Sequence, residues 1–459
     1  MDGLLFDPQE FRDPPPSDAE GAAPAPSSAG TGRPRLRVPH RDQVELHQAA
    51  LDELLDPEHM ARVVWAAVRG LDLGRWLDEV QAVERRAGRD ANDPRVMVAL
   101  WVYATLRGVA SARELARLCD DHIAYKWLRG GVGMNHSTLA AFRSGGGDKW
   151  DELLTQIVGS LLAQKLVTMD RVAQDGMRVR ADAGKSSFRR RPTLERCLED
   201  ARAQVATLRR LAEEAPEELT RRQRARRERA AADQQGRVEE AIRQCGLLQA
   251  RREATAKQSG RKPVEARAST TDPEARVMMF PDGGYRPGYN VQFATDTASG
   301  VIVGVDVTNE GTDGDQLPPM LDQLEGRYGR VPAEAVVDGG FAVVEAIEAA
   351  EAKGCTVYAP LKDEAKQRKA GTDPHARKKG DSDAIAAWRA RMGTAAAAAI
   401  YGLRCQTAEW VNAQCRNHGF WSMPVRGLVR CRAVAVLYAI THDLLEAVKL
   451  RAGATMKTT

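Results

Sequence analysis

A chain of 459 residues is too long for one ordinary hydrophobic core, so roughly two to four structural units are expected. The hydrophobic share of 43% is ample for globular folding, and the 28% charged share is slightly above the norm. A net charge of +4 does not by itself point to nucleic acid. Its distribution is more informative. Residues 185–267 hold 22 basic and 13 acidic side chains, which leaves the rest of the chain net acidic. Such a segment suits a partner with a phosphate backbone, and equally a solvated helix. The seven cysteines are dispersed and include no CxxC pair, as in a reduced, cytoplasmic protein rather than a disulfide framework or zinc site. No apolar run reaches about 18 residues and the N-terminus lacks a secretory pattern, so no membrane association is expected.

Residues 1–40, rich in Pro, Ala, Ser and Gly, are expected to be a disordered arm. Residues 41–165 read as an all-α module. Asp56-Pro57 and Asp93-Pro94 are N-cap and N1 pairs, Ser111-Ala-Arg-Glu114 has capping-box form, and Asn135-His-Ser-Thr opens a capped helix running to Arg143. That helix N-terminus has the chemistry to face a phosphate. A helix-turn-helix DNA binder and a plain helical bundle share this pattern.

Residues 171–182 read as a strand that presents Asp175 on a Gly turn, a setting that suits an oxygen ligand for a hard cation. Alone, an Asp-Gly pair is ordinarily a solvated hairpin turn. From 188 to 267 an inserted helical hairpin is expected. Its first helix has a heptad seam of Leu194, Leu198, Ala201, Val205 and Leu208, it breaks at Ala215-Pro216, and its outer surface is basic. A β-hairpin over 289–308 follows, then a helix, a strand ending in Asp338-Gly-Gly, a helix over 342–353 and a strand over 355–360. The remainder reads as helical, with Glu409 inside a late helix.

In a β-β-β-α-β-α-β-α arrangement the first strand and the strand after the first helix are neighbours, so Asp175 and Asp338 can sit side by side. Glu409 can join them from a packed helix. Such a group suits two divalent ions about 3.5–4 Å apart, and Mg²⁺ is the expected species.

These segments resemble the DDE transposases of bacterial insertion sequences. The resemblance rests on Val172-Ala-Gln-Asp-Gly-Met-Arg-Val-Arg-Ala, Gly288-Tyr-Asn-Val-Gln-Phe-Ala-Thr-Asp, Val336-Val-Asp-Gly-Gly-Phe and Tyr401-x2-Arg404-x4-Glu409-x6-Arg416. It implies an α/β protein whose RNase H-like mixed-sheet catalytic domain (166–187 and 268–459) is interrupted by the hairpin and preceded by an all-α N-terminal domain. It also implies Asp175, Asp338 and Glu409 as catalytic metal ligands for two Mg²⁺ ions, with Mn²⁺ as a possible substitute. The implied reaction is nicking at the element's terminal inverted repeats, then strand transfer into target DNA by a homodimer. Arg143, Arg178, Arg180, Tyr401, Arg404 and Arg416 are candidate DNA contacts, though Arg404 and Arg416 can instead pair with helix carboxylates. Asp182, Asp313 and Asp315 read as surface or cap residues. An RNase H-like nuclease without strand transfer and an inactive, DNA-binding remnant are the alternatives.

Overall fold

The computed structural model describes residues 49–82, 90–214 and 220–458. The expected arm over 1–40 and the break at Ala215-Pro216 lie outside them. Short helices come first. α1 (Met60–Arg69) is capped by His59, whose Nδ1 accepts from Ala61 N at 3.1 Å. Asp56 does not cap it, but closes a turn by accepting from Glu58 N at 2.7 Å. α2 (Gly74–Leu77) is a single turn. α3 (Pro94–Leu106) starts as expected, with Asp93 as N-cap and Pro94 at N1, and is buried almost all round. α4 (Ala112–Asp121), α5 (Ile123–Arg129), α6 (His136–Gly145) and α7 (Gly147–Ala163) complete the set. Ser111 accepts from Glu114 N at 3.3 Å and Asn135 from Ser137 N at 2.8 Å, so both predicted caps form. The glycine run between α6 and α7 has a packing reason. A Cβ on Gly146 would lie 2.2 Å from the Trp150 indole nitrogen, and that indole is fully buried.

β1 (Arg171–Arg180) enters the main sheet. β2 (Phe188–Arg189) then leads to α8 (Arg191–Glu214) and α9 (Arg221–Ser259), and β3 (Ala268–Ser269) pairs antiparallel with β2 to close the base of this excursion. α8 and α9 pack on each other and share a small core of Leu194, Ala241, Cys245, Ala266 and Ala268. Thr220 caps α9 through a reciprocal capping box with Gln223.

β4 (Arg276–Met279), which the sequence reading leaves out, pairs with the first half of β5 (Tyr285–Asp296). β6 (Ile302–Thr308) pairs with the second half, giving the expected β-hairpin. α10 (Leu317–Tyr328), β7 (Glu334–Val337), α11 (Val344–Ala352) and β8 (Thr356–Tyr358) follow. The strand order is β4-β5-β1-β7-β8, with β6 also on β5. β1 is antiparallel to β5 and parallel to β7, and β7 is parallel to β8. The sheet is therefore mixed, with β1 at its centre. α12 (Glu364–Lys369), α13 (Asp383–Met392), α14 (Ala395–Gln406) and α15 (Ala408–Asn417) precede the closing helix, α16 (Leu428–Thr458).

α16 joins the helices that precede β1 to the sheet. Ala433 through Ile440 are all buried, as expected of a helix that is apolar all round, and it packs against α3, α7 and β6. One hydrophobic core runs from Leu55 through the sheet to Ala447. Asp151 of α7 accepts from Arg432 of α16 at 2.5 Å and also pairs with Arg327 of α10. No helix among the described residues is long and apolar enough to cross a membrane.

Asp443 of α16 is fully buried and accepts from Ile302 N of β6 at 2.8 Å. Burial pushes its carboxyl well above the usual range. The folded chain thus holds this proton more tightly than the unfolded chain. The stabilising contribution is present at acid pH and is lost as pH climbs above the ordinary carboxylate range. Asp443→Asn should gain stability over the parent between about pH 5 and pH 8, by up to about 1.4 kcal/mol per pH unit. Urea midpoints at both pH values check this, and a pH-independent difference would reject it.

Candidate active site

Residues 171–180 form one uninterrupted strand, so the expected turn at Asp175-Gly176 is absent. Asp175 sits mid-strand opposite Phe293 of β5. On its other side β1 pairs in parallel with β7, the last registered pair being Gln174 with Val337. Asp175 and Asp338 are therefore the next positions along two neighbouring parallel strands. Asp338 leaves β7 for the Gly339-Gly340 loop and accepts from Gly340 N at 2.7 Å.

Side-chain alternation along β1 puts its two faces to different uses. The Asp175 face includes Ala173, which packs with Val336, Ala397 and Ala408 beneath α14 and α15. The opposite face carries Gln174, Gly176 and Arg178 over a buried polar network. There Asp313 accepts from Asn290 at 2.6 Å, from Gln292 at 2.7 Å and from Arg178 at 2.9 Å. Asp313 is 8% exposed, so its expected role as a surface or cap residue is corrected. A Cβ on Gly176 would meet Asp313, Gln292 and Asn290 at 2.3–2.7 Å, which explains the glycine without a turn.

α14 and α15 bring the remaining groups. Arg404 Nη2 lies 3.1 Å from Asp175 Oδ1 and its Nη1 lies 2.8 Å from Glu409 Oε1, so one guanidinium joins the two carboxylates. Asn412, one turn beyond Glu409, donates from Nδ2 to Asp175 Oδ2 at 2.9 Å. The Asn412 Oδ1 is buried and unpartnered. Burial raises the Asp175 carboxyl pKa, Arg404 opposes this, and the nearby Asp338 charge adds to it. Burial opposes the charge on Arg404, but Asp175, Tyr401 and Asp338 outweigh it and its pKa rises. Tyr401 is raised mainly by burial, with Arg404 opposing and Asp338 and Glu409 adding to the rise. All five side chains thus share one electrostatic environment.

Three carboxylates against one guanidinium leave an excess of negative charge, and every carboxylate donor is a hard oxygen. The set fits a divalent cation of the Mg²⁺ type. Among the described residues, no three His, Cys, Asp or Glu side chains already converge closely enough to hold one ion. Arg404 stands between Asp175 and Glu409 instead.

The expected DNA contacts divide. Arg143 is corrected: it is 5% exposed, stacks 4.2 Å from the Trp101 ring centroid, and donates to Ala110 O at 2.6 Å. Burial pushes its guanidinium down to about 10. Its apolar stem and the aromatic core claim the side chain. Arg178 is held by Asp313 and Gly311 O, and Arg404 by the two carboxylates. Tyr401 is partly buried beside Arg404. Arg180 is exposed, and Arg416 lies 5.8 Å from the Trp421 ring. Asn412 of this site, and Trp421 beside Arg416, escaped the sequence reading. Asn412 was detectable as the position one helical turn beyond Glu409. Trp421 carried no signal of its own.

A family described as a transposase DDE domain matches residues 265–444, and a transposase domain (DUF772) matches residues 49–145. The chain carries two transposase-family domains, typical of the transposases of bacterial insertion sequences. Neither the curated proteins nor the solved structures include a match. The DDE match takes in Asp338, Arg404, Glu409 and Asn412 but begins after β1, so Asp175 joins the site through the sheet rather than through the matched segment. DNA is the partner that this transposase family implies, and its members generally use divalent metal ions.

Proposed function

We propose that this transposase cuts DNA at the ends of its own element and joins those ends to target DNA, with Asp175, Asp338 and Glu409 as the catalytic carboxylates. The observation that carries this reading is the register of β1 with β7, which makes Asp175 and Asp338 neighbours under the helix that presents Glu409. The strand order, with β1 central, antiparallel to β5 and parallel to β7 and β8, supports an RNase H-like catalytic domain. Residues 166–187 and 268–459 would form it, with 188–267 as an insertion and 41–165 as the N-terminal helical domain.

Asp175, Asp338 and Glu409 would hold Mg²⁺, or Mn²⁺ in its place. When bound, the metal neutralises phosphate charge and activates the attacking oxygen. The chain's own contribution is positioning. Asn412 fixes one oxygen of Asp175. Arg404 balances the charge of Asp175 and Glu409. β1 and β7 keep the two aspartates at a fixed spacing. Rate enhancement of this kind is mostly orientation and charge stabilisation, with no covalent enzyme intermediate. Two DNA ends have to be held together, which favours a homodimer.

The test incubates the protein with Mg²⁺ and the terminal inverted repeats of its element and looks for nicked and joined products. Both products are expected. Nicking without joining would reduce the reading to a nuclease, and binding without cleavage would reduce it to an inactive remnant.

A further inference from the structure

Beyond the carboxylates, β1 and α15 also frame a groove of about 340 Å³, completed by the β4–β5 turn and Trp421. This lies at the small end of the roughly 300–1,000 Å³ usual for ligand sites. Its charges are unequally committed. Arg178 is held by Asp313, and Arg286 by Asp282 at 2.6 Å. Arg180 and Arg416 face no carboxylate at ion-pair distance among the described residues, so two cations in the groove remain available.

Trp421 gives the groove its character. The chain has eight tryptophans, and this is the one that is exposed, at 56%. Its backbone is nevertheless fixed. Trp421 O accepts from Arg180 N at 3.1 Å, and Met423 N donates to Arg180 O at 2.7 Å, which ties the loop to the end of β1. The Arg416 guanidinium lies 5.8 Å from the indole centroid. The result is an exposed aromatic face on a fixed backbone, beside two available cations. Along α15, Arg416 is seven residues and about 10 Å from Glu409, on the same side of the helix. Along β1, Arg180 is five residues and about 17 Å from Asp175, at the strand's end and on the face that carries Arg178.

An aromatic face flanked by cations fits a phosphate chain that carries a free base. In a duplex the base faces are stacked on one another and closed to an indole, whereas an unpaired base stacks readily on tryptophan. Resting on the DNA-processing reading above, we infer that this groove binds an unpaired nucleotide at a DNA end. Its phosphates lie on Arg180 and Arg416, and its base stacks on Trp421.

The test measures fluorescence anisotropy of the full chain, without metal, on two labelled probes: a blunt duplex and the same duplex with a short oligothymidine overhang. The wild type should favour the overhang. Trp421→Ala should weaken overhang binding about 5- to 150-fold and leave blunt-duplex affinity unchanged. Trp421→Phe, which keeps an aromatic face, should retain most of the preference. Arg180→Gln should weaken both probes and flatten the salt dependence. Because the Trp421 side chain is exposed, the Ala and Phe variants should match the wild type in thermal midpoint. Equal probe preference in wild type and Trp421→Ala would overturn the groove assignment while leaving DNA processing intact. Failure of the wild type to bind either probe would overturn both.

Discussion

Asp338→Asn should abolish DNA cleavage while leaving DNA binding intact. Asp338 is partly buried at the end of β7, and the hydrogen bond its side chain accepts from Gly340 N can be kept by an asparagine oxygen, so the fold should not change. What is lost is half of the paired carboxylate site beside Asp175. Removing one carboxylate from a metal-dependent centre costs several kcal/mol of transition-state stabilisation, so the rate should fall by at least about 10³-fold. A second effect has a definite sign. The Asp338 charge raises the Asp175 pKa, so its removal should lower that pKa and strengthen the Arg404 pairing. Less negative charge near the DNA should leave affinity equal or slightly tighter. Parallel cleavage and anisotropy assays separate these effects, and retained cleavage would remove Asp338 from the catalytic group.

Gly176→Val should be the most damaging single change to the site's scaffold. The atoms its side chain would meet belong to Asp313, Gln292 and Asn290, all buried and joined through Asp313. None can swing away without abandoning a hydrogen bond in a dry environment, and Arg178 is anchored to the same carboxylate. Overpacking together with broken buried hydrogen bonds should cost about 3 kcal/mol or more. Urea denaturation should show it directly. At temperatures where the variant stays folded, cleavage should also fall, because the shift falls on the residue next to Asp175. A variant as stable as the parent would mean that the network does not pack against Gly176.

Much of the secondary structure was legible because its signals are local. The caps at Asp93, Ser111 and Asn135 and the hairpin of β5 and β6 depend on residues a few positions apart. The neighbourhood of Asp175 and Asp338 was legible too, through strand ordering. The misreadings occurred where long-range packing decides. Asp175-Gly176 looked like a turn because Asp-Gly usually is one, while the real reason for the glycine lies in residues 290–313. Arg143 looked like a surface cation, and its partner is an indole on another helix. Asp313 looked solvated, yet it is the acceptor at the centre of a buried cluster. The spacing of Arg404 suits DNA or a helix carboxylate, and it bridges carboxylates from a strand and a helix.

α16 sets the order in which this chain becomes competent. Its buried stretch supplies the surface that α3, α7 and β6 need, and Arg432 satisfies Asp151 from the far end of the sequence. While the chain is still on the ribosome α3 and α7 lack this partner, and β1 waits for neighbours encoded more than a hundred residues later. A nascent chain therefore has no assembled carboxylate centre until Asp338 and Glu409 have also emerged. Copies of the gene interrupted before residue 428 should yield products with an uncovered apolar core, which cellular proteases remove.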